Sequence, residues 1–294
     1  MNKGAAFQMI LSMAIFGSIG FFTRKTGISA EALVFVRCIC ATIFLMSIWF
    51  IVGQYKKEIW LKKEVLQTLF CGVFLVLNWV FLFKAFEAMS ISAAISIYNL
   101  APIFVLIMGT IFLKERINIQ SVLAVTCCFI GSLLVVGLRE FSSVDNFLNS
   151  GFIWAILSAL CYAMTMFLGK GIQQLSAYAT TFLQTIVGII ILAPIVSFSE
   201  FQGLTTSNWL YILGTGFIHT GFVYYLFFNS LRHLSALVTS ALVFVDPLVA
   251  IALDVTILDF RPSTLQILGM IFIFGGIVYT LLKPVPAKEN TNVI

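Results

Sequence analysis

Two stretches of this chain decide its fold: LAPIFVLIMGTIFLKER at residues 100–116 and VDPLVAIALDVTILDFR at residues 245–261. Adding 145 to a position in the first lands in the second, so that Pro102 falls on Pro247, Leu113 on Leu258 and Arg116 on Arg261. The register extends outward to Lys25/Lys170, Gly131/Gly276, Phe7/Phe152, Phe22/Phe167, Phe83/Phe228 and Ser90/Ser235. Apolar coincidences are cheap in a chain with 30 Phe, but proline and charge coincidences are scarce when there are 6 Pro and 10% charged residues. The pairs therefore read as an internal duplication, with a first unit at residues 1–145 and a second at 146–294.

Both units are apolar almost throughout. A chain with 61% hydrophobic residues and a mean hydropathy of +1.06, and with far fewer charges than the usual figure of about 25%, has no polar surface to offer water. The lipid bilayer is its solvent. A helix crosses the hydrocarbon in about 20 residues, and apolar stretches of that size lie near 4–23, 30–53, 65–88, 91–113, 119–138, 151–170, 176–198, 208–231, 236–258 and 264–282. Barrel strands would be about 10 residues of alternating polarity, a pattern the sequence does not show. The first stretch exceeds a signal-peptide core and has no small-residue cleavage site before Arg24-Lys25, so it reads as an uncleaved span. The expectation is an all-α integral membrane protein of ten transmembrane helices. Each unit holds five spans, an odd number, so the second enters the membrane from the opposite side and the five-helix repeats are inverted.

With ten spans and a cytoplasmic N-terminus, the inner segments hold eleven basic residues and the outer ones five, the lysines of Gln54–Glu64 dominating the count. The positive-inside rule then places both termini in the cytoplasm, in the cell membrane. The net charge of +5 is accounted for by these loops and does not point to nucleic acid. The six cysteines lie inside spans without a Cys-x-x-Cys pair, and read as packing residues. No metal site and no cofactor are indicated.

Polar residues at mid-membrane are costly and usually kept for a purpose. Asp246 stands out, near the middle of the ninth span and followed by Pro247, where the missing backbone donor predicts a local break beside a carboxylate. Binding or proton coupling, or a structural pair with a buried cation or hydroxyl, are its two readings. At the equivalent place in the fourth span, Ser92, Ser96 and Asn99 share a helical face, as Ser235, Thr239 and Asp246 do in the ninth. Such stripes either glue helices together or line a cavity. Arg37 in the second span either snorkels to the interface or pairs with a carboxylate or an anionic substrate. Asn78 and Trp79, and His219, Tyr224 and Tyr225, supply hydrogen bonds and rings for a small-molecule site, although a lone His is more often packing. Asp254 is a second candidate for ion coupling, and Lys84 with Glu87 reads as an interfacial ion pair.

Residues 100–116, with Gln120 and Gly131 after them, and Phe35-Val-Arg37 in the second span resemble the drug/metabolite transporter superfamily, in its EamA-type form. The resemblance covers nearly the whole chain as two units. It implies ten helices in two inverted repeats, a cavity lined mainly by spans three, four, eight and nine, and a metabolite as cargo, in many cases carried outward. Glu115-Arg116 matches the family's Glu-Arg, whereas the second unit reads Asp259-Phe260-Arg261, which puts the role of that acidic residue in doubt there.

The expected function is secondary transport of a small organic molecule, with export of an amino acid or derivative as the leading form. Alternating access between inverted halves suits it, and the absence of a Walker A pattern leaves a gradient, with protons as candidate coupling ion, to drive it. Asp246, Asn99, Ser96, Asn78, Tyr225 and Arg37 form the expected substrate site. A membrane-embedded enzyme and a non-transporting partner or sensor are the alternatives. Two His residues give little material for catalysis, so the chain is not expected to be an enzyme. Monomer and homodimer remain equally open.

Overall fold

The structure is a computed structural model describing residues 2–89, 91–112, 119–136, 151–257 and 261–282. The motif residues Glu115, Arg116, Asp259 and Phe260 lie outside these residues, as do the side chains of Ser92, Ser96 and Asp254. Among the described residues the chain is helical without strands: α1 (Lys3–Phe16), α2 (Ile19–Thr23), α3 (Ala30–Ile51), α4 (Lys62–Ala88), α5 (Ile91–Tyr98), α6 (Ala101–Phe112) and α7 (Ile119–Val136), then α8 (Phe152–Lys170), α9 (Ala177–Leu192), α10 (Thr206–Gly214), a π-helix (Thr215–Phe222), α11 (Val223–Leu231), α12 (Ala236–Leu242), α13 (Val245–Ile257) and α14 (Thr264–Leu282).

Starts are set by polar caps that fill the orphan amide donors of the first turn. Asn2, Ser29, Ser176 and Ser235 cap α1, α3, α9 and α12 through their side chains, and Thr205 with Asn208 forms a capping box on α10. By length and composition, six helical stretches can cross a membrane: Lys3–Thr23, Ala30–Ile51, Lys62–Ala88, Phe152–Lys170, Thr206–Leu231 and Ala236–Leu253. Ala101–Phe112, Val122–Leu134, Ala177–Leu192 and Thr264–Thr280 are shorter apolar helices. The expected fourth and ninth spans are both interrupted, at Asn99-Leu100 and at Val243-Phe244. The second break comes just before Asp246. Pro102 and Pro247 consequently sit in the first turns of α6 and α13, where a missing N–H costs nothing.

Packing is tightest where small residues let backbones approach. In the crossing of α7 and α14, a Cβ on Gly131 would lie 2.6 Å from the Gly269 carbonyl oxygen, and one on Gly276 would lie 2.8 Å from that of Ala124. Cys127 and Cys128 donate their thiols to the Phe272 and Ile273 carbonyls at the same crossing. All six cysteines are free thiols. Between α3 and α9, Thr42 donates to Thr185 Oγ1 at 2.8 Å. The core of Met9, Met13, Leu75, Met166, Phe227, Phe228 and Phe244 is fully buried among these helices.

The two ends of the bundle are tied differently. At the lysine-rich end, Glu64 accepts the backbone N–H groups of Gln173, Gln174 and Leu175, while Glu58 accepts those of Ser176 and the Trp49 indole. Arg232 donates to the Leu175 carbonyl at 2.7 Å and closes the same loop from the other side. At the opposite end, Glu200 accepts from Ser29. The expected Lys84–Glu87 pair does not form. Lys84 instead meets Glu31 at 2.7 Å, and Glu87 caps the N–H of Ala30.

Candidate substrate site

The site grows from a kink in α-helical pitch. Residues 215–222 follow the wider π-helical turn, a form that often marks functional positions. Thr220 there donates back to the Thr215 carbonyl at 2.9 Å and turns its oxygen toward α3, where it accepts the Nε–H of Arg37 at 2.8 Å. Gly216 allows this approach, because a Cβ at that position would press on Cys40 of α3.

Arg37 is 0% exposed, so it does not snorkel. Its guanidinium carbon lies 5.0 Å from the Trp79 ring centroid and 5.2 Å from that of Phe83. Nη1 and Nη2 have no hydrogen-bond partner among the described residues. Two aromatic faces contribute about 0.5–2 kcal/mol each, less than the several kcal/mol that burying an ion costs.

Around this cation stands an aromatic layer. The Trp79 indole donates to the Tyr224 hydroxyl at 2.5 Å, and Tyr224 packs edge-on against both Trp79 and Phe16. Tyr98 and Tyr162 stack with centroids 5.1 Å apart. Tyr98 and Tyr224 lie within electrostatic reach of both Arg37 and Asp246. Asp246 is half-buried at the start of α13, and its carboxylate accepts no hydrogen bond from a described residue. Gly17 is the contact that seats it: a Cβ there would lie 2.7 Å from the Asp246 carbonyl oxygen. The two interrupted spans meet where Ser240 of α12 donates to the Pro102 carbonyl of α6 at 2.9 Å.

The expected site residues divide over this geometry. Arg37 and Asp246 face the same tyrosine layer. Asn78 borders it, donating to the carbonyl and hydroxyl of Ser158 at 3.0 and 2.9 Å, with no hydrogen-bond partner for Oδ1 among the described residues. Asn99 spends its amide on Ser132 of α7, a helix-to-helix bond. Tyr225 stacks on Tyr178 of α9 with centroids 4.4 Å apart, and Tyr224 takes the inward place. The side chain of Ser96 lies outside the described residues. His219 is held by Ser18 at 2.8 Å and lies against the Phe22 ring. Thr220 and Gln184 were not anticipated. Gln184 is fully buried, donates to the Cys71 sulfur at 3.1 Å, and has no partner for Oε1 among the described residues. A lone amide inside an otherwise apolar stretch was the signal available for it.

A cleft of about 260 Å³ opens at the end away from the lysine-rich loop, lined by Thr23, Arg24, Ile28, Phe83, Glu87 and Met89 among others. Phe83 is thus a wall of the cleft and a face against Arg37. Among the described residues no His, Cys, Asp or Glu cluster could hold a metal ion.

A polytopic helical bundle with an unpaired cation, a carboxylate and a ring of tyrosines enclosed among its helices is the build of a membrane transporter. The chain belongs to the EamA-like transporter family, whose model matches it twice, over residues 3–137 and 149–282. It is 52% identical over 279 residues to an uncharacterized transporter of Bacillus subtilis, YxxF, covering 95% of this chain and 90% of that one. It is 24% identical to the riboflavin transporter ImpX of Fusobacterium nucleatum, covering 90% and 92% of the two chains. A protein of known crystal structure shares the fold at a TM-score of 0.81 and 14% identity, with 96% of this chain and 99% of that one covered.

Proposed function

We propose that this transporter is a secondary carrier working by alternating access, which exports a small organic metabolite, an amino acid or derivative, across the cell membrane. In this reading ten spans form two inverted five-helix units, residues 1–145 and 146–294, with both termini in the cytoplasm. One observation carries it: positions 145 apart touch each other. Trp79 bonds to Tyr224, Cys127 to Phe272 and Cys128 to Ile273. The glycine contacts are reciprocal too, Gly131 on residue 269 and Gly276 on residue 124, each the other's counterpart under the same offset. A position that meets its own counterpart lies on a two-fold axis. Such an axis running through the Trp79–Tyr224 bond supports two halves able to exchange conformations around the polar centre.

Asp246 is the coupling or recognition carboxylate in this mechanism, with Arg37 and Asn78 as further members of the substrate site. Asn99 and Tyr225 support the centre from neighbouring contacts, and Ser96 remains a member of the fourth-span stripe. The test is flux in proteoliposomes with an internal pH dye, over a panel of amino acids, amines, sugars and nucleosides. Riboflavin joins the panel because it is the cargo in the name of the Fusobacterium relative. Flux with proton movement that disappears in a folded Asp246→Asn variant is the expected result. Flux and pH response unchanged in that variant remove Asp246 from the mechanism, and a panel without a single moving compound overturns the carrier.

A further inference from the structure

We propose that Arg37 is the docking point for a carboxylate on the transported molecule, so that the substrates are organic carboxylates with an aromatic or other planar apolar body lying against Trp79, Phe83 and Tyr224. This rests on the transporter reading above and narrows its substrate class.

Two of the three guanidinium nitrogens of Arg37 lack a partner among the described residues. A guanidinium presents its N–H donors in a rigid planar fork that matches two carboxylate oxygens. Here the Nε edge is spent on Thr220, while Nη1 and Nη2 are fully buried without a partner among the described residues. Structural arginines in protein interiors are normally paired, since unpaired buried charge is costly. The carboxylates that pack near its end of the bundle are already used: Glu31 by Lys84, Glu87 by the Ala30 amide and Glu200 by Ser29. Among the described side chains of this region Asp246 is the remaining acid, and Tyr98 and Tyr224 lie within electrostatic reach of both it and Arg37.

The walls define the rest of the ligand. Trp79 and Phe83 present ring surface to the guanidinium, and Tyr224 packs edge-on against Trp79. Rings of this kind favour a planar apolar body. A phosphoryl group offers the same pair of acceptor oxygens but a second negative charge. The nearby Lys84 is committed to Glu31, so one guanidinium faces the ligand and a singly charged carboxylate matches it. Phe83, shared with the 260 Å³ cleft, places this edge beside an opening to one side of the bundle.

The experiment measures binding to the purified full chain by equilibrium titration and by ligand-induced shift of its unfolding temperature. The probes are matched pairs: indole-3-acetate with indole-3-acetamide, and phenylalanine with phenylalaninamide. Each carboxylate is expected to bind at least about tenfold more tightly than its amide, as loss of a charge-assisted hydrogen bond implies. Arg37→Gln abolishes the preference and Arg37→Lys keeps part of it. Amides binding as tightly as carboxylates, no carboxylate binding at all, or a preference that survives Arg37→Gln overturns the inference. Should Arg37→Gln fail to fold, the wild-type comparison of carboxylate with amide decides alone. Flux of neutral compounds such as riboflavin without carboxylate binding would leave the carrier standing and sink this inference. Carboxylate binding without flux of any compound would do the reverse.

Discussion

Among the described residues, Arg37 is hydrogen-bonded by a single oxygen. Thr220 is the acceptor for its Nε–H, and it holds that position because its own proton is committed to the Thr215 carbonyl. Thr220→Val, similar in shape, removes the acceptor and strands a third donor in the interior. Unfolding in mixed micelles should show a loss of about 1–3 kcal/mol; an unchanged midpoint would mean that water has replaced the hydroxyl. At this scale the sequence was only partly legible. It exposed Arg37 and Asp246, because charges are conspicuous in an apolar run. It misassigned Lys84, whose true partner Glu31 is on another helix, because only same-helix neighbours can be read from spacing. Tyr224 and Tyr225 differ by a third of a helical turn, and the phase that points Tyr224 inward follows from the π-helical stretch before it. Nothing in the residue order announces that stretch.

At the scale of elements, the π-helix and the two interruptions set where side chains point. Deleting one residue within it, Phe217, should let Thr215–Phe222 relax to α-helical pitch. That would rotate Thr220 off Arg37 while leaving the flanking helices intact. The expected outcome is loss of substrate binding with helical content unchanged by circular dichroism. The interruptions themselves were foreseeable from Pro102 and Pro247, since proline belongs in a first turn. Their mutual contact was not: Ser240 of α12 reaches the Pro102 carbonyl of α6. The α7/α14 crossing gives a second test. Gly131→Ala and Gly276→Ala each force backbone apart and should cost about 1–3 kcal/mol. Because both act on one interface, the double variant should fall short of the sum, as coupled neighbours do.

For the molecule as a whole, the meeting of positions with their own counterparts makes a prediction about motion. If two halves rock about an axis through the α7/α14 crossing, groups on that axis keep their distance. Phe272→Cys, at the residue whose backbone carbonyl meets the native Cys127 thiol, should therefore form an oxidative cross-link that leaves flux nearly unchanged. A cross-link between Arg24→Cys and Met89→Cys, both lining the open cleft, should stop it. Equal inhibition by the two would rule out this axis. The 145-residue register was visible in the sequence through Pro102/Pro247 and Gly131/Gly276. Which counterparts touch was not, because that depends on which residues meet across the bundle.

The closed end of the bundle has a consequence for the conditions under which the protein works. Its loop at Gln173–Ser176 is gripped by Glu58 and Glu64 through backbone amides, with Glu64 only 8% exposed. A latch made of long, solvent-exposed ion pairs would loosen in brine, where the Debye length falls from about 30 Å at 0.01 M to about 3 Å at 1 M. Short hydrogen bonds from peptide groups to an enclosed carboxylate leave dissolved ions almost no room to intervene. The grip on this loop should therefore be the same in dilute buffer and in molar salt, which hydrogen exchange of the Gln174 and Leu175 amides would read.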